Sequence, residues 1–155
     1  MYLEWLGWLE QSGLGEIARN SAWLFMAVNV LHVLGAAFVV GGIAVFDLKV
    51  LLNRGEEAAE TGRVAIPLAA AGLLIQIPTG VTLLAVEAQA LGVNPAFYAK
   101  LAFIAVGLVN LAVFHARFGT AMRYGGLPAS ARPFAAVSLA AWVLTLGAGR
   151  VIAYL

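Results

Sequence analysis

No cysteine occurs among the 155 residues, so disulfides, thiolate catalysis and iron–sulfur ligation by this chain are excluded. Charge is scarce too: Asp, Glu, Lys and Arg make up 11% of the chain, against about 25% in soluble domains. The net charge of +1 leaves no basic footprint for nucleic acid. Histidine occurs twice, and no Ser/His/Asp arrangement is suggested around either one. No phosphate-binding glycine loop precedes a helix, since Gly41-Gly42 sits inside an apolar run. The first ten residues hold Glu4 and Glu10 but no Lys or Arg. A signal peptide opens with a basic region, so none is expected here.

Hydrophobic residues supply 63% of the chain, and they are segregated. Asn20–Phe46, Val64–Val86, Leu101–Ala116 and Pro133–Gly149 carry no formal charge. At ~1.5 Å per residue each can cross ~30 Å of hydrocarbon once its fringes are included. The runs are continuous rather than alternating, which argues against a membrane β-barrel. The expected fold is all-α: a transmembrane four-helix bundle over residues 20–155, with spans near 21–46, 64–90, 97–118 and 133–154. Residues 1–19 are expected to form an interfacial arm. There Tyr2, Leu3, Trp5, Leu6, Trp8 and Leu9 cover a broad apolar arc opposite Glu4, Gly7 and Glu10, as in amphipathic helices whose rings lie at headgroup level. Ser12-Gly13 and Gly15 are expected to end that helix, and Asn20 or Ser21 to cap the first span.

Orientation follows the basic residues of the short loops. Lys49, Arg54 and Arg63 flank the first connection and Arg117, Arg123 and Arg132 the third, whereas Arg19, Lys100 and Arg150 mark the opposite side. The richer loops are expected in the cytoplasm, with both termini outside.

Helical angles place Asn29, His32, Ala36, Ile43 and Asp47 on one stripe of the first span. Gly72, Gln76, Gly80, Leu83 and Glu87 share one on the second, where Pro78 should kink the helix. On the third, Lys100, Ile104, Leu111 and His115 align while Asn110 points elsewhere; Ser138, Trp142, Thr145 and Gly149 align on the fourth. Such polar and small residues pack helices in lipid. An intramembrane histidine, however, is a functional-site hypothesis by default.

His32 and His115 are therefore candidate metal ligands, specifically for haem b held between two helices. Asn29 beside His32 and Gly35 would complete the site, with Gly41, Gly42, Gly80 and Gly107 leaving room for a porphyrin edge or merely tightening helix contacts. Depth weighs against a shared iron. His32 lies ~13 Å below Trp23, and His115 ~25 Å below Tyr98, at 1.5 Å per residue. A second cluster of Glu87, Lys100, Arg150 and Gln76 is expected near the outer surface, with Glu87 paired to Lys100 or Arg150. It could brace the bundle or hold the headgroup of a quinone or other amphiphile. Asp47 with Lys49, and His115 with Arg117, read as boundary anchors.

Trp23-Leu24-Phe25, then Leu31-His32-Val33-Leu34-Gly35, then Gly41-Gly42 followed by Asp47-Leu48-Lys49 form a recurring set. With Glu87, Asn94-Pro95-Ala96-Phe97, Lys100, Asn110, Phe114-His115, Trp142 and residues 148–154, they resemble a bacterial family of small four-span membrane proteins of unknown function. The resemblance implies the fold and a multi-pass place in the bacterial inner membrane, but no activity. That family usually has glutamate where Asn29 stands, so a carboxylate that could have oriented His32 is missing. More distantly the plan is similar to membrane b-type cytochromes and copper-resistance membrane proteins.

Two functions follow as expectations. One is a membrane haem-b protein moving electrons between a quinone pool and an outer partner. The other is a non-enzymatic accessory subunit whose polar stripes pack the bundle or dock a partner. Homo-oligomers or a larger membrane complex fit either. A carrier is disfavoured, because the halves show no inverted repeat.

Overall fold

The structure, a computed structural model, describes residues 2–154. Met1 and Leu155, and the side chains of Tyr2 and Leu3 assigned to the interfacial arc, lie outside the described residues. Among those described, the protein is all-helical. Short helices α1 (Tyr2–Glu10) and α2 (Gly13–Asn20) precede the first long helix α3 (Ala22–Leu51). Then come α4 (Gly55–Val86), a four-residue α5 (Ala88–Leu91), α6 (Pro95–Tyr124) and α7 (Arg132–Val151), the last entered through a 3-10 turn at Ala129–Ala131. Four helices, α3, α4, α6 and α7 with its flanking turns, are long and apolar enough to cross a bilayer. The protein is a multi-pass membrane protein built as a four-helix bundle.

Local chemistry sets the boundaries. Ser21 caps α3 by accepting from Leu24 N at 3.3 Å. Asn94 caps α6 by accepting from Ala96 N at 2.9 Å, with Pro95 at the first helical position, where its missing N–H leaves no bond unmade. The glycines at 13 and 15 do not end helicity as expected. Ser12 caps a second helix that runs through both, because N-terminal positions leave their N–H groups free anyway. The charged first connection is also shorter than the sequence suggests. Helicity continues to Leu51 and resumes at Gly55, leaving a turn whose Asn53 takes φ 61°, a left-handed conformation that asparagine tolerates. Glu56, Glu57 and Glu60 thus lie on α4. At its far end α4 stops at Val86, four residues short of the expected span, and Glu87 turns the chain into α5. Helicity runs unbroken past Pro67 and Pro78.

In space α3 packs against α4 and α7, and α6 against α7, while α4 and α6 barely meet. The bundle is a ring with one loosened side. Backbone contact closes its tightest seam: a methyl on Gly35 would lie 3.0 Å from Gly72 O, and one on Gly72 2.7 Å from Gly35 O. In lipid, where apolar burial gives no drive to associate, such close approach supplies the dispersion energy. At the end bearing the α3–α4 and α6–α7 connections, Phe46, Phe114, Phe118 and Leu127 form the core. Phe46 meets Phe114 edge-on, with ring centroids 5.8 Å apart. On α3 the buried positions run 35, 39, 42, 46, 47 and 50; no residue in the first third of the helix is fully buried.

The arm docks on the opposite end. Leu6 is fully buried and touches the Gly92 backbone region. Arg19 ties the arm down by donating to Ala85 O at 3.1 Å, Val86 O at 3.2 Å and Glu10 O at 2.6 Å. Trp8 and Trp23 remain exposed, as anchors at a membrane interface would.

Candidate functional site

His32 projects from α3 toward α4. Its Nδ1 lies 2.9 Å from Thr79 Oγ1. Thr79 donates its one proton to Ile75 O at 2.6 Å, so its oxygen accepts from His32 and the imidazole carries hydrogen on Nδ1. Nε2 is then a free lone pair. Gln76 clamps the same turn by donating to His32 O at 2.7 Å. A methyl on Gly80 would sit 3.2 Å from His32 Cε1. His32 is therefore half-buried in a helix–helix seam that it helps to hold.

His115 lies elsewhere. It is exposed, and its Nδ1 donates to Leu111 O, one turn back on its own helix, at 3.0 Å. It lines a small cavity with Gly42, Ile43 and Asp47 of α3. Those residues sit at least ten positions along α3 from His32, so the two imidazoles differ in depth by ~15 Å or more at 1.5 Å per residue. The stagger repeats the depth difference that the sequence shows, and it sets the two rings at separate places along the bundle. Of the glycines expected to leave room, Gly35 abuts Gly72, Gly42 abuts Ala65 O and the Trp142 indole fills the space beside Gly107, while Gly41 faces open space. Asn29, expected beside the cofactor, is exposed on α3 above its buried stretch. It has no hydrogen-bond partner among the described residues.

The outer cluster is likewise not assembled. Glu87 is exposed at the end of α4, and no described ion pair joins it to Lys100 or Arg150. Arg150 turns to Tyr154 instead, donating to its hydroxyl at 2.9 Å and lying 5.2 Å above its ring centre. Gln76 belongs with His32. Lys100 is half-buried and laid flat along α7, where a methyl on Gly149 would be 3.5 Å from its Nζ. It lies within electrostatic reach of His32.

A third polar group lies where α3, α6 and α7 meet. Asn110, expected to point away, donates from Nδ2 to Phe134 O of α7 at 3.1 Å. It lines the cavity, of about 40 Å³, together with Asp47 and Ser138. Asp47, which looks like a boundary anchor in the sequence, is only 2% exposed. Its signal was its place on the His32 stripe, fifteen residues along. No group of three or more His, Cys, Asp or Glu side chains suited to a metal ion occurs among the described residues. No protein-family model, curated protein or solved structure matches the chain.

Proposed function

We propose that this chain is a non-enzymatic accessory subunit of a bacterial inner-membrane complex, with both termini outside. One observation carries the reading: the intramembrane polar side chains that a cofactor would need are engaged in holding helices. His32, Thr79 and Gln76 bind α3 to α4, and Asn110 binds α6 to α7. His115 is satisfied by its own turn. Among the polar side chains that remain open is the Asn29 amide, exposed on the outer part of α3. An amide facing hydrocarbon gains by meeting a polar group on another helix, so Asn29 marks the docking face for a partner helix, from a larger complex or a second copy.

Haem b is the second reading, favoured by the free Nε2 of His32. It requires the other axial ligand from another chain, and a quinone or outer protein as redox partner. A reduced-minus-oxidised visible spectrum of protein purified from haem-replete cells separates the two. The subunit reading expects no Soret or alpha band. A band that disappears in His32→Ala overturns it. Native electrophoresis of mild-detergent extracts is expected to show wild type in an assembly that Asn29→Val weakens. Wild type running as a lone chain, unchanged in the variant, would also overturn it.

A further inference from the structure

The cavity between the four spans is small but chemically specific. At about 40 Å³ it exceeds the ~15 Å³ that one water needs and has room for roughly two. Its walls are mostly aromatic and aliphatic, with Phe46, Phe114 and Trp142 among them. Into this lining the fold sets a carboxyl group. Asp47 Oδ2 is buried and meets no donor from the protein. Ser138, from α7, lines the same cavity as that carboxyl. Asn110 lines the same space with its Nδ2 held by Phe134 O, which leaves its amide oxygen as an acceptor.

The elements packed around Asp47 bring few charged groups toward it. From α4 the cavity receives only Ala65 and Ile66, and from α7 the neutral Phe134, Ser138 and Trp142. From α6 the one titratable group is His115, whose Nδ1 is fixed to Leu111 O. Arg117, two residues on, stacks over the Phe118 and Phe134 rings at 5.9 Å each. On its own helix, Lys49 pairs with Glu57 at 3.7 Å. Among the described residues no cation neutralises the carboxylate. An unpaired anion with an unsatisfied acceptor oxygen in a lipid-embedded core is costly, whereas a neutral carboxylic acid donates to cavity water.

We propose that Asp47 is a proton-binding site, exchanging its proton through cavity water with the aqueous face that carries the α3–α4 and α6–α7 connections. Uptake forms an O–H bond at Oδ2 and breaks one in hydronium; release reverses this, and no electrons move. The group alternates between neutral and −1. This function is separate from the accessory role and stands or falls without it.

Infrared difference spectroscopy of the protein in liposomes tests the assignment. Wild type is expected to show the C=O stretch of a protonated carboxylic acid that titrates away on raising pH. The band should shift in D₂O, because water reaches the group, and should be lost in Asp47→Asn. If Asp47→Asn fails to fold, Ser138→Ala keeps the acid and removes its neighbour, so the band should persist at a changed frequency. The proposal is overturned if no such band exists at any pH, if D₂O leaves it unmoved, or if either variant leaves it identical. It is also overturned if sodium or potassium at fixed pH abolishes the band and raises the melting temperature of wild type but not of Asp47→Asn. That result would make the site one for a monovalent cation.

Discussion

Single atoms decide how closely α3 and α4 approach. Gly35 and Gly72 place each other's carbonyl where a side chain would go, so Gly35→Val must push the helices apart. Overpacking of this kind costs about 1–3 kcal/mol, and the melting temperature in detergent should fall accordingly. Ala37→Val, on the exposed face of the same helix, should leave it unchanged. The His32–Thr79 bond is a gentler test. Thr79→Val keeps the shape and removes the acceptor, at an expected cost of about 0.6 kcal/mol, the average for membrane interhelical bonds. A loss several times larger would mean that His32 does more than brace the seam. These residues also show what a helical wheel can and cannot reveal. Gln76 and His32 each fall on the polar stripe of their helix, and they do meet. Asn29 shares the stripe of His32 yet ends exposed, because burial on α3 begins only at Gly35. Angle is local to one helix, whereas burial depends on where a neighbour crosses it. Asn110 reads as a residue that packs helices, but its partner is not legible, because the carbonyl of Phe134 belongs to another span.

Elements were more legible than sites. Four uncharged runs separated by short charged intervals imply four spans, since backbone groups in lipid must be satisfied within each helix. The ends were harder, because charged residues such as Lys49 and Glu57 continue a helix beyond the bilayer without any break in hydrogen bonding. The arm is attached through a few named bonds. Arg19 holds three carbonyls, and Glu10 Oε2 accepts from Gln89 N at 2.9 Å. A guanidinium at the open carbonyls of the α4 C-terminus also meets the negative end of that helix dipole. In Arg19→Gln, amide hydrogen exchange over residues 2–20 is expected to accelerate while that of the four spans stays at wild-type rates. Equal protection in the variant would assign the docking to Leu6 and the apolar face instead.

At the scale of the whole molecule, charge sets the expected orientation in the membrane. Lys49, Arg54, Arg63, Arg117, Arg123 and Arg132 lie toward one end, and Arg19, Lys100 and Arg150 toward the other. The structure puts the first group on or beside the α3–α4 and α6–α7 connections and the second beside the docked arm. All the basic residues therefore partition between the two ends of one bundle, so the positive-inside rule applies without ambiguity about which loop each belongs to. The absence of cysteine makes the test clean, since a single introduced thiol is the sole target of a maleimide. Glu60→Cys and Arg123→Cys, both exposed, are expected to react only after the membrane is permeabilised. Gln89→Cys, exposed on the arm side, should react in intact cells with a reagent that cannot cross the membrane. The opposite pattern would place the Asp47 cavity nearest the outside, and its proton would then exchange with the external medium rather than with the cytoplasm.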